Sequence, residues 1–206
     1  MALWVEEATD QIIIAAKEEF LTYGFGEASL RRIAEKANTS PRSIYTRFSS
    51  KEGLFAHFVQ QHKEYFIEKV KIYLFGFEAL SKEKQMEACN EQSSYLSYEL
   101  LDYMYDHFDA FYMMICCSIG TVYENFIEEL AVLETESTKK YMQMTAEDIG
   151  HLPAVTEEFI HMMSHSFFQA FFEVIRHKFE REQARVYIEE LILFHSGGWE
   201  KFLIRK

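Results

Sequence analysis

The chain has 206 residues, of which 49% are hydrophobic and only two are proline. That is enough apolar material for a substantial core and excludes a disordered polypeptide. A formal charge of −12 keeps most of the surface away from any polyanion, so contact with one must be local. Glu6 and Glu7 follow the first five residues and leave no secretory leader pattern, and the longest apolar run, Ala110 to Cys117, falls far short of the roughly 18 to 20 residues of a membrane span. A cytoplasmic protein without a membrane partner is expected. Cys89, Cys116 and Cys117 lack metal-type spacing and read as reduced, buried thiols, and no cofactor is implied.

The periodicity predicts helices throughout. The first spans about Thr9 to Tyr23, with Ile12, Ala16 and Phe20 on one face, and Gly24-Phe25-Gly26 stops it. Ser29 suits the N-cap of a short helix that turns Leu30, Ile33, Ala34 and Ala37 inward, and Asn38-Thr39 makes a turn. Ser40 caps the next helix, with Pro41 at its first position and Ile44 and Phe48 on its buried edge. A fourth helix begins at Ser49-Ser50, with Glu52 completing a capping-box pattern, and runs to near Phe75. Beyond it, helices are expected from Lys82 to about His107, Phe108 to Ile119, Thr121 to about Asp148, Thr156 to Phe179 and Glu182 to near His195. Gly76, Gly120, Gly150 with Pro153, and Gly197-Gly198 punctuate them.

Charge is unevenly placed. Between Ser29 and Lys51, Arg31, Arg32, Lys36, Arg42, Arg47 and Lys51 face only Glu35, a balance of +5 inside an acidic protein. Two short helices joined by a tight turn, the second exposing Arg42, Ser43, Thr46 and Arg47 opposite Ile44 and Phe48, are what a helix-turn-helix requires. Ser29, Ser40 and Lys51 lie at helix N-termini, where backbone N–H groups and the helix dipole attract phosphate, and Arg31 is placed to meet the backbone as well. Arg42, Ser43 and Arg47 are the candidates for base edges, since Arg is best suited to bidentate recognition of guanine.

The residues from Ile12 to Phe55, with Ala15-Ala16 and Phe20, Gly24-Phe25, Ile33-Ala34, Ile44-Tyr45, Phe48 and Ser50-Lys51, resemble the N-terminal domain of the TetR (tetracycline-repressor-like) family of transcriptional regulators. Two departures stand out: Asn38-Thr39 replaces the family's usual Gly-Val, and Arg42 stands where a glycine is common. The resemblance implies an all-α fold in which a three-helix DNA-binding domain, residues 1–51, precedes a larger helical effector-binding and dimerisation domain, residues 52–206. It gives the Tyr45 hydroxyl a phosphate contact, double-stranded operator DNA as partner, and repression relieved by a small-molecule effector.

The body is rich in Phe, Tyr and Met. By resemblance it encloses an effector pocket, for which Tyr98, Tyr105, Phe111, Met114, Phe126, Met163 and Phe167 are candidates, suited to an apolar or aromatic ligand. The last two helices are apolar on more than one face. One face fits the chain's own core, and the resemblance implies that the other packs on the same helices of a second copy through Phe168, Phe171, Ile175, Ile188, Ile192 and His195. Such a homodimer would read a palindrome. A rival reading is a metal-binding bundle or enzyme using Glu158, His161 and His165 in an E-x-x-H arrangement. It lacks the second such motif that a di-iron site needs.

Overall fold

The computed structural model describes residues 2–78, 80, 96–149 and 155–204, and among these there are helices and no strand. They are α1 (Ala2–Glu27), α2 (Leu30–Lys36), α3 (Pro41–Phe48), α4 (Lys51–Glu78), α5 (described over residues 96–106), α6 (Phe108–Cys116), α7 (Phe126–Ile149), α8 (Glu157–Arg176) and α9 (Arg181–Ile204). Fold class is therefore as expected from the helical periodicity. The expected helix start at Lys82 and the residues to 95, Cys89 among them, lie outside the described residues, as do Gly150 and Pro153.

Two compact units divide the chain differently from a cut after residue 51. One comprises residues 1–64 and 107–126, the other residues 65–106 and 127–206, so α4 contributes to both. In the first, α1 packs on α2 and α6, and α2 packs on α3. Phe20, fully buried, anchors an aromatic core, with ring centroids 5.0 Å from Phe55, 6.3 Å from Phe25 and 6.2 Å from Phe58. Phe111, Met114 and Phe126 are also buried in this unit, at 0%, 1% and 1% exposure, and so are core there. The second unit packs α8 on α9, with Phe66, Phe171 and Phe172 at its centre. Asp102 pairs with Arg185 and Asp106 with Arg181, and the Tyr105 hydroxyl donates to the Phe179 carbonyl at 2.8 Å.

Several expectations are corrected. Helix α1 begins earlier than Thr9, and Gly24 breaks its regular geometry at φ 70°, ψ 170°, which only glycine adopts without strain. Helix α9 runs through Gly197-Gly198, because two glycines cost only about 2 kcal/mol of helix propensity, and Trp199 packs its ring against Phe159 and His195. Helix α4 likewise continues past Gly76 to Glu78. Helix α7 starts at Phe126 rather than Thr121, since residues 121–125 form turns after Gly120 at φ 87°.

The side chains assigned to a dimer face are corrected too. Phe168, Phe171, Ile175 and Ile188 are at most 6% exposed within the single chain and form its core. Ile192 and His195 are half-buried; the His195 ring lies 4.8 Å from Phe167, and its Nε2 is 3.4 Å from the Met163 carbonyl. What these two helices expose is Met162 on α8 and, on α9, Val186, Leu193 and Phe194, which fall on one stripe.

Candidate nucleic-acid interface

Helices α2 and α3 form a helix-turn-helix whose local geometry is written in the sequence. The Ser29 side chain accepts from the Arg32 N–H at the start of α2, and the Ser40 side chain accepts from the Ser43 N–H at the start of α3, where Pro41 follows as the first helical residue. Each cap uses a hydroxyl as acceptor, leaving its proton to donate to a phosphate oxygen. Between the helices Asn38 takes φ 49°, a left-handed turn conformation that Asn tolerates, and the Thr39 N–H returns to the Ala34 carbonyl at 2.9 Å.

The α3–α4 corner is tighter than the sequence suggests. Ser49 ends α3 at φ 64°, and the cap of α4 is Ser50, whose Oγ accepts from the Gly53 N–H at 3.0 Å, rather than a box formed by Ser49 and Glu52. At Gly53 a Cβ would stand 2.0 Å from the Phe48 carbonyl oxygen, so no other residue fits without moving backbone.

Helix α3 buries Ile44 and exposes Arg42, Tyr45 and Thr46. The Arg42 guanidinium has no ion pair or hydrogen bond to any described residue, and the Tyr45 ring is 54% exposed. The other basic groups are engaged within the chain. Arg31 pairs with Glu35 at 3.0 Å and Lys36 with Glu18 at 2.7 Å, the latter raising the lysine pKa. Arg47 folds back, its Nε donating to the Thr9 hydroxyl at 3.0 Å and its guanidinium to Ser43. Lys51 donates to the Ala28 carbonyl at 2.8 Å and the Gly26 carbonyl at 3.2 Å, with its ammonium 4.5 Å from the centre of the Phe25 ring. Of the expected base readers, then, Arg42 projects outward, while Ser43 and Arg47 are tied to each other.

Glu19 was not anticipated as a functional support. It is 1% exposed, and its Oε1 accepts from the Ser29 N–H at 2.9 Å and from Arg32 Nε at 2.7 Å, while Arg32 also donates to the Glu27 carbonyl and stacks 4.5 Å from the Tyr23 ring centre. This joins α1 to the N-terminus of α2 and raises the Arg32 pKa through its hydrogen bond to Glu19. A glutamate one helical turn before the Tyr23-Gly24 break, facing inward with Ala16 and Phe20, was the available signal.

The remaining candidates are dispersed. Tyr98, Tyr105, Met163 and Phe167 belong to the second unit, and Phe111, Met114 and Phe126 to the first. Of the metal alternative, His161 and His165 face Glu128 of α7, at 3.4 and 3.9 Å. Glu158 stays exposed at the start of α8, its pKa lowered by its backbone hydrogen bond and by Thr156.

Residues 12–58 match the profile of the bacterial regulatory proteins, tetR family. The HTH-type transcriptional activator FasR of Mycolicibacterium smegmatis (strain ATCC 700084 / mc(2)155) is similar, with 33% identity over 66 residues, or 32% of this chain. The match spans only 30% of that relative's length. Among solved structures, NalD, the secondary repressor of the MexAB-OprM multidrug efflux pump in Pseudomonas aeruginosa, aligns with TM-score 0.56 and 18% identity over 90% of this chain and 94% of its own. The fatty acid degradation regulator FadR from Bacillus halodurans aligns with TM-score 0.54 and 14% identity over 92% and 98%. All three are named as regulators. Residues 12–58 are accordingly a tetR-family domain, carried in a chain whose described residues have the helical fold of that family's regulators.

Proposed function

We propose that the chain is a cytoplasmic, homodimeric transcriptional repressor that binds a palindromic operator through α3 and is released by a small, largely apolar effector. The observation that carries the DNA-binding part is the outer face of α3, where Arg42, Tyr45 and Thr46 are solvent-exposed while Ile44 and the Ser40 cap fix the helix beneath them. Arg42 reads a base edge, and Tyr45 with the Ser29 and Ser40 hydroxyls holds phosphates. Lys51, Arg31 and Arg47 serve first as intrachain ties and add positive potential at the same surface.

Dimerisation is assigned to Met162, Val186, Leu193 and Phe194, four apolar side chains between 56% and 82% exposed. Two copies would present two recognition helices related by a two-fold axis, matching half-sites about one helical turn apart. An apolar effector suits the aromatic and Met-rich second unit, and helix α4, which has residues in both units, is the element through which its binding would alter head spacing. The similar proteins named for multidrug efflux and fatty acid degradation support an apolar ligand.

Selection of bound duplexes from a random pool, followed by anisotropy titration at several salt concentrations, tests the proposal. An inverted repeat should emerge, bound about 10³-fold or more tightly than random DNA. Equal affinity for every duplex would overturn it.

A further inference from the structure

Two histidines meet inside the first unit, away from the outer face of α3. His62 is buried on α4, and its ring lies 4.4 Å, centroid to centroid, from that of His107, with 37° between the ring planes. His107 is the residue that precedes α6, and its side chain makes no capping hydrogen bond there. Phe111, one turn into α6, stands 6.1 Å from the His62 ring. The pair therefore ties α4 to the start of α6.

Three features of this contact suit neutral rings. The Gln61 side-chain amide nitrogen is 3.2 Å from His62 Nε2, and an amide N–H can donate only to a ring nitrogen that carries no proton. His62 lies out of water, where the charged form is disfavoured. Its neighbour His107 is a group of the same charge when protonated. The charged residues flanking the pair are engaged elsewhere: Asp109 of α6 with Lys17 of α1, and Asp106 with Arg181. Lys63, the next residue on α4, lies 5.7 Å from the centre of the Tyr123 ring.

We propose that His62 and His107 form a proton-operated latch between α4 and α6, which holds the head in its DNA-binding form while the rings are neutral and opens when they are protonated. The path to the DNA face is short. Helix α4 carries Phe55 and Phe58 against Phe20 of α1, and its first turn is locked to the end of α3 at Gly53. Charging two rings in van der Waals contact drives α4 and α6 apart and disturbs the support of the recognition helix. Burial and then the His107 charge hold the His62 pKa below its ordinary value of 6.5. The unfolded chain therefore takes this proton more readily, so the latch stabilises the protein above pH 6.5 and loses that contribution as pH falls below it. This rests on the DNA-binding reading above and adds a control to it.

The test compares full-length wild type with His62→Gln and with His107→Gln, whose native ring is exposed. Amide exchange of residues 107–116, corrected for the intrinsic effect of pH, is measured at pH 7.5 and pH 5.5. Protection should fall by at least about tenfold in the wild type and by no more than about threefold in either variant. Affinity for the selected operator, at fixed salt, should fall over the same interval by at least about tenfold more in the wild type than in the variants. Should His62→Gln not fold, His107→Gln carries the comparison alone. Constant wild-type protection, or an equal fall in the variants, would overturn the latch. A wild-type loss of protection with the same operator affinity profile as the variants would overturn its link to DNA. Absence of any preferred duplex at pH 7.5 would overturn the DNA-binding reading instead, and the exchange comparison would still judge the contact between α4 and α6.

Discussion

Replacing Glu134 by Gln keeps its size and removes its charge, and the effect on stability depends on pH in a way that can be worked out. The unfolded chain loses this proton near the ordinary value of 4.5, while the native protein holds it to about 7. Between those values the native state binds more protons than the unfolded state, so the wild type loses stability as pH rises through the window. Below it both states are neutral, and the two variants should match. Each pH unit is worth about 1.4 kcal/mol, which gives a ceiling of about 3 kcal/mol. The accessible part of the side chain reduces that to about 2 kcal/mol. Urea denaturation of both variants from pH 5 to pH 8, at fixed ionic strength, isolates the effect because all other groups cancel in the difference. The Gln advantage should grow from under 1 kcal/mol at pH 5 to about 2 kcal/mol at pH 8, or about 4 to 8 °C in Tm. A difference that stays flat with pH, or a Gln variant less stable at pH 8, would refute the claim that partial burial raises this carboxylate's pKa.

Other substitutions probe the head and the exposed apolar stripe. Arg42→Ala should lower affinity for the selected operator by about 1–3 kcal/mol and relax base preference at particular positions, seen by competition with single-base operator variants. Lys51→Ala, by contrast, should lower Tm, since it removes two carbonyl contacts and the Phe25 contact, and weaken all DNA alike with a shallower salt slope. Gly53→Ala should destabilise the head by more than about 2 kcal/mol and abolish operator binding, because its Cβ meets the Phe48 carbonyl oxygen; a normal melting curve sinks that account. Phe194→Glu with Leu193→Glu should give a folded monomer in sedimentation equilibrium, as both side chains are solvent-exposed in one chain, and an unchanged dimer mass would place the interface elsewhere.

The head was legible because its signals are local. Ser40-Pro41, Ile44 and the Asn38 turn each act within a few residues, and the Ser29 and Ser40 caps formed where the sequence placed them, although that of α4 shifted to Ser50. What it hid was long-range. The window from Ser29 to Lys51 looks unopposed, yet Glu18 and Glu19 come from α1 to meet Lys36 and Arg32. In the body, periodicity marks apolar faces without saying which partner covers them, so Phe168, Phe171 and Ile175 could be read as an interface although α8 spends them on its own core. Glu134 was passed over because acids on a helix are usually solvated. Its register with Ile127, Leu130 and Ala131 would have marked it.

The Ser49–Gly53 corner has a bearing on how such a protein diversifies. With the Phe48 carbonyl lying where a Gly53 side chain would begin, the end of α3 is locked to the start of α4, and the tilt of the recognition helix is not adjustable by small changes at that hinge. New operator preferences are therefore open to descendants of this chain chiefly by exchanging the outward side chains of α3, a route on which Arg42 and Thr46 can vary while the scaffold beneath them stays constant.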